Sequence, residues 1–254
     1  MIVTDYTIKT NKNVPPLTIA LVCDLHHRPY NECLRACLAA NPDVIMISGD
    51  LMSSLSSKRP ETLEKNRRGY DFLRTAAMER PTFYSLGNHE GRADEENTKK
   101  IAETGAVLLD DSFTEYGGYL IGGLSSGFKR PETFSVDEEF LHRFESLDGY
   151  KILLCHHPEY YSKFIKELDV DLTLSGHAHG GQWRFFGRGI YAPGQGIFPK
   201  YTSGVYDGRL VVSRGLANCE KIPRIFNPTE TVIIKILPTN ESDSKRHEAS
   251  NRSL

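Results

Sequence analysis

Five short stretches carry side chains of the kind that hold divalent metal ions: Asp24-Leu25-His26, Gly49-Asp50, Gly87-Asn88-His89-Glu90, His156-His157 and Gly176-His177-Ala178-His179. Asp24, His26, Asp50, Asn88, His156, His177 and His179 together offer imidazoles, two carboxylates and an amide oxygen, with His89 beside them. That set is too large for one tetrahedral zinc. It suits two ions of borderline hardness sharing a carboxylate. In His177-Ala178-His179 the histidines are two apart, so in extended backbone both imidazoles would point to one side, and the flanking glycines would let the chain turn tightly.

The elements that must position these residues are legible as hydrophobic patterning. Each stretch follows an apolar run, at 17–23, 43–48, 82–86, 151–155 and 170–174, of the near-continuous kind found in strands buried on both faces. Helical periodicity is expected within 28–40, over 60–79 with Pro60 at its start, over 93–104 and after Pro158. Ser135 and Glu138 have capping-box spacing for a helix reaching about residue 147. Short strands at 106–109, 112–116 and 119–121 read as hairpins, and 3–10, 209–213 and 230–237 read as outer or closing strands. The chain is thus one α/β domain over residues 1–237, with a polar tail at 238–254 expected to be mobile. Ligands in open α/β sheets gather at the carboxyl ends of strands, so the five stretches are expected to converge.

In these motifs and their order the sequence resembles the calcineurin-like metallophosphoesterase superfamily, over residues 18–181. It is also similar to a subfamily in which G-H-x-H runs on into G-G-Q, here Gly180-Gly181-Gln182. Later segments matching that subfamily are Ser213-Arg214-Gly215-Leu216 and Arg224-Ile225-Phe226-Asn227-Pro228. The resemblance implies a two-sheet β-sandwich flanked by helices, the four-layer α/β/β/α arrangement. It implies that Asp24, His26 and His179 hold one metal, that Asn88, His156 and His177 hold a second, and that Asp50 bridges them. His89 is then the catalytic histidine beside the metals. The implied reaction is hydrolysis of a phosphate ester by metal-bound hydroxide, with a phosphodiester slightly favoured over a monoester. The implied cofactors are two divalent ions, manganese, iron or zinc.

Arg28, Arg92, Trp183 and Arg184 are candidate substrate contacts, the last two opening an aromatic and glycine-rich segment that runs to residue 206. His27 and His157 follow proposed ligands directly and are expected to point elsewhere. Glu90 reads equally as a support for a ligand and as a solvated loop acid. The segment 125–130 reads as a solvated turn.

Composition limits the partners. At 254 residues, 39% hydrophobic and with formal net charge -2, the chain can fill a normal core but lacks the cationic excess that general nucleic-acid binding requires. No run approaches the roughly 18 apolar residues of a membrane span, and residues 1–6 contain no apolar signal core, so no membrane insertion and a cytoplasmic location are expected. Five cysteines, an odd number, suit reduced and packed thiols. The expected partner is a small phosphorylated substrate, without a stable nucleic-acid complex; oligomeric state is not encoded in any motif. Three rival functions make different demands on the sequence. A catalytically silent scaffold of the same fold should have lost ligands, an amidohydrolase should carry H-x-H near its start, and a DNA nuclease should be more basic.

Overall fold

Strand formation follows the apolar runs. A computed structural model describes residues 1–126, 136–217 and 223–239. In chain order the elements are β1 (Ile2–Thr10), β2 (Leu17–Val22), α1 (Asn31–Ala39), β3 (Val44–Ser48), α2 (Pro60–Glu79), β4 (Thr82–Ser85), α3 (Glu95–Ala102), β5 (Val107–Leu109), β6 (Ser112–Tyr116) and β7 (Tyr119–Leu124). Then come α4 (Glu138–Glu145), β8 (Tyr150–Cys155) and β9 (Leu172–Ser175). Four two-residue strands follow, β10 (Arg184–Phe185), β11 (Arg188–Gly189), β12 (Tyr191–Ala192) and β13 (Gly196–Ile197), and the chain closes with β14 (Gly204–Tyr206), β15 (Leu210–Val212) and β16 (Glu230–Pro238).

Two six-stranded sheets are built, in the orders β1-β16-β2-β3-β4-β5 and β14-β15-β9-β8-β7-β6. Their centres are parallel, with Ile47 opposite Val22 and Ser48 opposite Ser85 in the first, and Leu154 opposite Leu174 in the second. Strands β3, β4, β8 and β9 are buried along their whole length, as strands covered on both faces must be. Leu21, Met46, Ile152 and Leu174 help fill the space between the sheets. On the outer face of the first sheet, Ile45 and Ile47 pack with Leu34 of α1, Phe72 of α2 and Ile101 of α3. On the outer face of the second, Leu153 packs with Phe140 and Phe144 of α4. The architecture is therefore the four-layer α/β/β/α sandwich.

The facing strand ends are tied together. Ser48 Oγ donates to Leu174 O at 2.7 Å and Ser85 Oγ to Leu124 O at 3.4 Å, so the ends of β3 and β4 are held against the second sheet.

Some local expectations change. Helix α4 is capped by Asp137, whose Oδ1 accepts from Phe140 N at 2.8 Å; Ser135, the expected cap, lies outside the described residues. After Pro158 the chain is helical over residues 159–165, as expected at its start, but it stops short of Leu168 and its Tyr161–Ile165 turn is π-helical, with Lys166 N bonded to Tyr161 O. Strand β7 runs on to Leu124 through Gly122 and Gly123, where a Cβ would collide with Phe144 and Leu109. Cys23, Cys33, Cys37 and Cys155 are buried and free. Residues 127–130, Cys219 and residues 240–254 of the expected tail lie outside the described residues. Among the described residues no helix is long and apolar enough to cross a membrane.

Candidate metal centre

At the carboxyl ends of β2, β3, β4, β8 and β9 the backbone stops being extended. Asp24, His26, Asp50, His177 and His179 all have positive φ, between 45° and 63°. Such conformations cost about 1–3 kcal/mol in non-glycine residues and persist only where the surroundings hold them. Here neighbouring strand ends do so: Asp24 N donates to Gly49 O, His26 N to Asp50 O at 3.0 Å, and Gly176 N to His156 O. His177 N donates to Asp24 Oδ2 at 3.1 Å.

This corrects the extended-strand picture of the histidine pair. His177 and His179 are both left-handed, with a short 3-10 turn starting at His179, so the alternation rule does not apply and the rings diverge. His179 groups with Asp24 and His26, and His177 with Asp50 and His156. Within each trio a donor atom from every residue lies within 4.8 Å of the others.

The two groups meet at the carboxylates. His179 Nε2 lies 3.6 Å from Asp24 Oδ1, and His26 Nε2 lies 3.8 Å from the same oxygen and 3.6 Å from Asp50 Oδ2. His156 Nε2 lies 3.2 Å from Asp50 Oδ2 and 3.9 Å from Asp24 Oδ1. His89 Nε2 stands 3.9 Å from Asp50 Oδ2, on a side chain 41% exposed, so it faces the open side while the others are buried. Asn88 Oδ1 is buried without a hydrogen-bond partner.

Three observations fit a divalent cation here. First, His156 Nδ1 is 2.8 Å from Ser48 O and His179 Nδ1 is 3.1 Å from Ala217 O. A carbonyl only accepts, so His156 Nδ1 carries a proton; His179 Nδ1 also lies 3.3 Å from a guanidinium nitrogen of Arg224, and both rings turn Nε2 toward the carboxylates. Second, glycines line the cradle: a Cβ on Gly176 or Gly215 would sit 2.6 Å from Asp24 Oδ2, and one on Gly87 would overlap Asp50 Oδ1. Third, the buried carboxylates favour positive charge beside them. Burial alone would raise the carboxyl of Asp24, yet His179, His26 and His156 outweigh it and hold it below its ordinary range. Asp50 is likewise held well below, burial being overcome chiefly by His156. For His156 burial opposes the charge, but Asp50 raises the imidazole to about 10.

Patterning could not see the supporting residues. Glu90 is fully buried and accepts from Asp50 N, Met52 N and Gly87 N, which settles the choice left open for it. His157, expected to point away, is buried with Glu159 and His177; its Nδ1 is 3.2 Å from Glu159 Oε1 and its Nε2 2.5 Å from Ser126 Oγ. The H-H-P-E run is the one signal that could have flagged this group. His27 joins no donor group among the described residues.

Of the expected substrate contacts, Arg28 and Arg92 are exposed on the loops after β2 and β4. Trp183 is partly exposed, with Nε1 donating to Pro223 O at 3.0 Å. Arg184 departs from expectation. Its buried guanidinium donates to Gly180 O, Thr202 Oγ1 and Gly187 O, so it stitches the turn after His179 to its neighbours instead of facing a substrate. Asn227 adds to this, donating from Nδ2 to His179 O and Gln182 O.

The calcineurin-like phosphoesterase family model matches residues 17–181. The chain is 27% identical over 236 residues to the uncharacterized protein YpbG of Bacillus subtilis, covering 91% of this chain and 85% of that one. It is 28% identical over 251 residues to an uncharacterized metallophosphoesterase of Aquifex aeolicus, covering 91% and 90%. With phosphodiesterase YaeI of Escherichia coli it shares 26% identity over 189 residues, 68% of this chain but only 64% of that protein.

Proposed function

The chain belongs to the calcineurin-like phosphoesterase family, a metal-dependent phosphoesterase family, and we propose that it hydrolyses a small phosphorylated substrate, preferring a diester, with two divalent ions. The observation that carries this reading is the pair of donor trios, Asp24-His26-His179 and Asp50-His156-His177, brought together at buried carboxylates. Asp24, His26 and His179 would hold one ion. His156, His177 and the amide oxygen of Asn88 would hold the other, with Asp50 between them. Manganese, iron and zinc all suit a mixed imidazole and carboxylate set. When bound, the ions supply Lewis acidity and a water acidified to react at neutral pH.

The chain's own residues do the rest. Ser48 O holds His156 at Nδ1 and Ala217 O lies 3.1 Å from His179 Nδ1, so both rings present Nε2 to the site. His89, exposed and 3.9 Å from Asp50, is placed to bind a non-bridging phosphoryl oxygen or to protonate the departing alkoxide. The diester preference draws support from the name of the YaeI relative. A cytoplasmic setting is part of the same reading.

Asp50→Asn tests it. The folded variant should lose bound metal and at least about a hundredfold in hydrolysis of a chromogenic phosphodiester with added manganese. Undiminished turnover would sink the mechanism.

A further inference from the structure

From Ser175 to Tyr206 the chain contains no Asp or Glu, although 33 of its 254 residues are acidic, a frequency that would place about four in a stretch of that length. The same stretch contains Arg184, Arg188 and Lys200, so it is cationic within a chain of net charge -2. Arg184 is turned inward, as described. Arg188 and Lys200 line a cleft of about 470 Å³ between the β10–β11 hairpin and the segment after β13, together with Ser203 and Tyr206 and with no carboxylate.

The turns around this cleft carry bare apolar side chains. Phe186 is fully exposed, Phe198 is 78% exposed, Phe226 77% and Ile197 71%. Every exposed Phe or Trp among the described residues lies in this one region. Separate loops are joined in it, since the rings of Phe185 and Phe226 pack edge-on at 5.8 Å.

Phe186, Phe198 and Phe226 also have φ of 51°, 54° and 51°. A bulky residue in the left-handed region is strained, and glycine or asparagine would take each turn more easily. Burial cannot offset that strain, because these rings are mostly in solvent. Exposed aromatic tips around a cationic cleft match an apolar medium beside a source of negative charge.

We infer that this rim docks on an anionic phospholipid surface. Phe186, Phe198, Ile197 and Phe226 enter the boundary between headgroups and acyl chains, and Arg188 and Lys200 take lipid phosphate in the cleft. The contact is peripheral and involves no membrane span. It adjoins the metal centre through the turn His179–Gly181, where Ile190 N donates to Gly181 O, but does not depend on the chemistry proposed there.

Co-sedimentation of the protein with vesicles tests this, using phosphatidylcholine alone and phosphatidylcholine mixed with phosphatidylglycerol. The wild type should pellet with the mixed vesicles and far less with the neutral ones. F186S/F198S should weaken binding at least about tenfold, and R188E/K200E should erase the preference for phosphatidylglycerol. Both double variants change exposed side chains and should unfold at the wild-type temperature. Wild type remaining in the supernatant with both vesicles would overturn the inference, as would two variants that pellet like wild type. So would a wild-type dimer in analytical ultracentrifugation that F186S/F198S abolishes without any vesicle binding, since the rim would then cover a second copy.

Discussion

Glu90 Oε2 accepts the backbone N–H of Asp50 at 2.9 Å, so a buried acid holds the main chain of the residue whose side chain stands between the two donor groups. The same oxygen accepts from Gly87 N at 2.8 Å, and Oε1 accepts from Met52 N at 2.7 Å. Burial first, and then the charge of Asp50, raise the Glu90 carboxyl above its ordinary range. The arrangement is retained because three backbone donors of two loops converge on it.

Glu90→Gln supplies one carbonyl oxygen where two carboxylate oxygens are used, and turns an NH₂ toward a backbone N–H. The variant should fold but bind manganese about 10- to 100-fold more weakly, read by metal titration. Unchanged affinity would mean that Glu90 shapes the loops without tuning the site.

His89→Ala should keep its metal content, because His89 is the exposed member of the cluster. Turnover of a chromogenic phosphodiester should fall at least about tenfold. Loss of one bound ion by elemental analysis would instead make His89 a ligand.

Arg184→Met separates two roles. Left without the guanidinium, the buried carbonyl of Gly180 loses its donor and the bond to Gly187 O is lost with it, so stability should fall by about 1–3 kcal/mol in denaturant unfolding. A residue that only read substrate would raise KM and leave unfolding unchanged.

Asp111 carries a pH signature. Burial, with Asp110 and Asp137 adding, pushes its carboxyl up to about 6 from an ordinary 3.8, although the N–H of Ser125 opposes the rise. Between these values the folded protein keeps a proton that the unfolded chain has released, so this contribution to stability is lost as pH rises from about 4 to about 6. Asp111→Asn keeps an acceptor for Ser125 N and tolerates the φ of 45°. Urea midpoints of wild type and variant should therefore converge near pH 4, with the variant ahead near pH 8. Parallel pH curves would rule out Asp111 as the source.

The strands that carry the site were legible because their apolar runs are local facts: α2 and β6 fall where patterning placed them, and β2, β3, β4, β8 and β9 start or stop within about two residues of expectation. So was the type of chemistry, since Asp, Asn and His recur directly after those runs. What each residue meets was not legible. The left-handed turns that separate His177 from His179 depend on bonds such as His177 N to Asp24 Oδ2, across 153 residues of chain. The burial of Glu90 and Arg184 depends on backbone groups presented by other loops. Periodicity reports which face of an element is apolar. Only the packed sandwich decides which polar groups are sealed together beyond its edge, because a buried charge takes its role from the partners that compensate it.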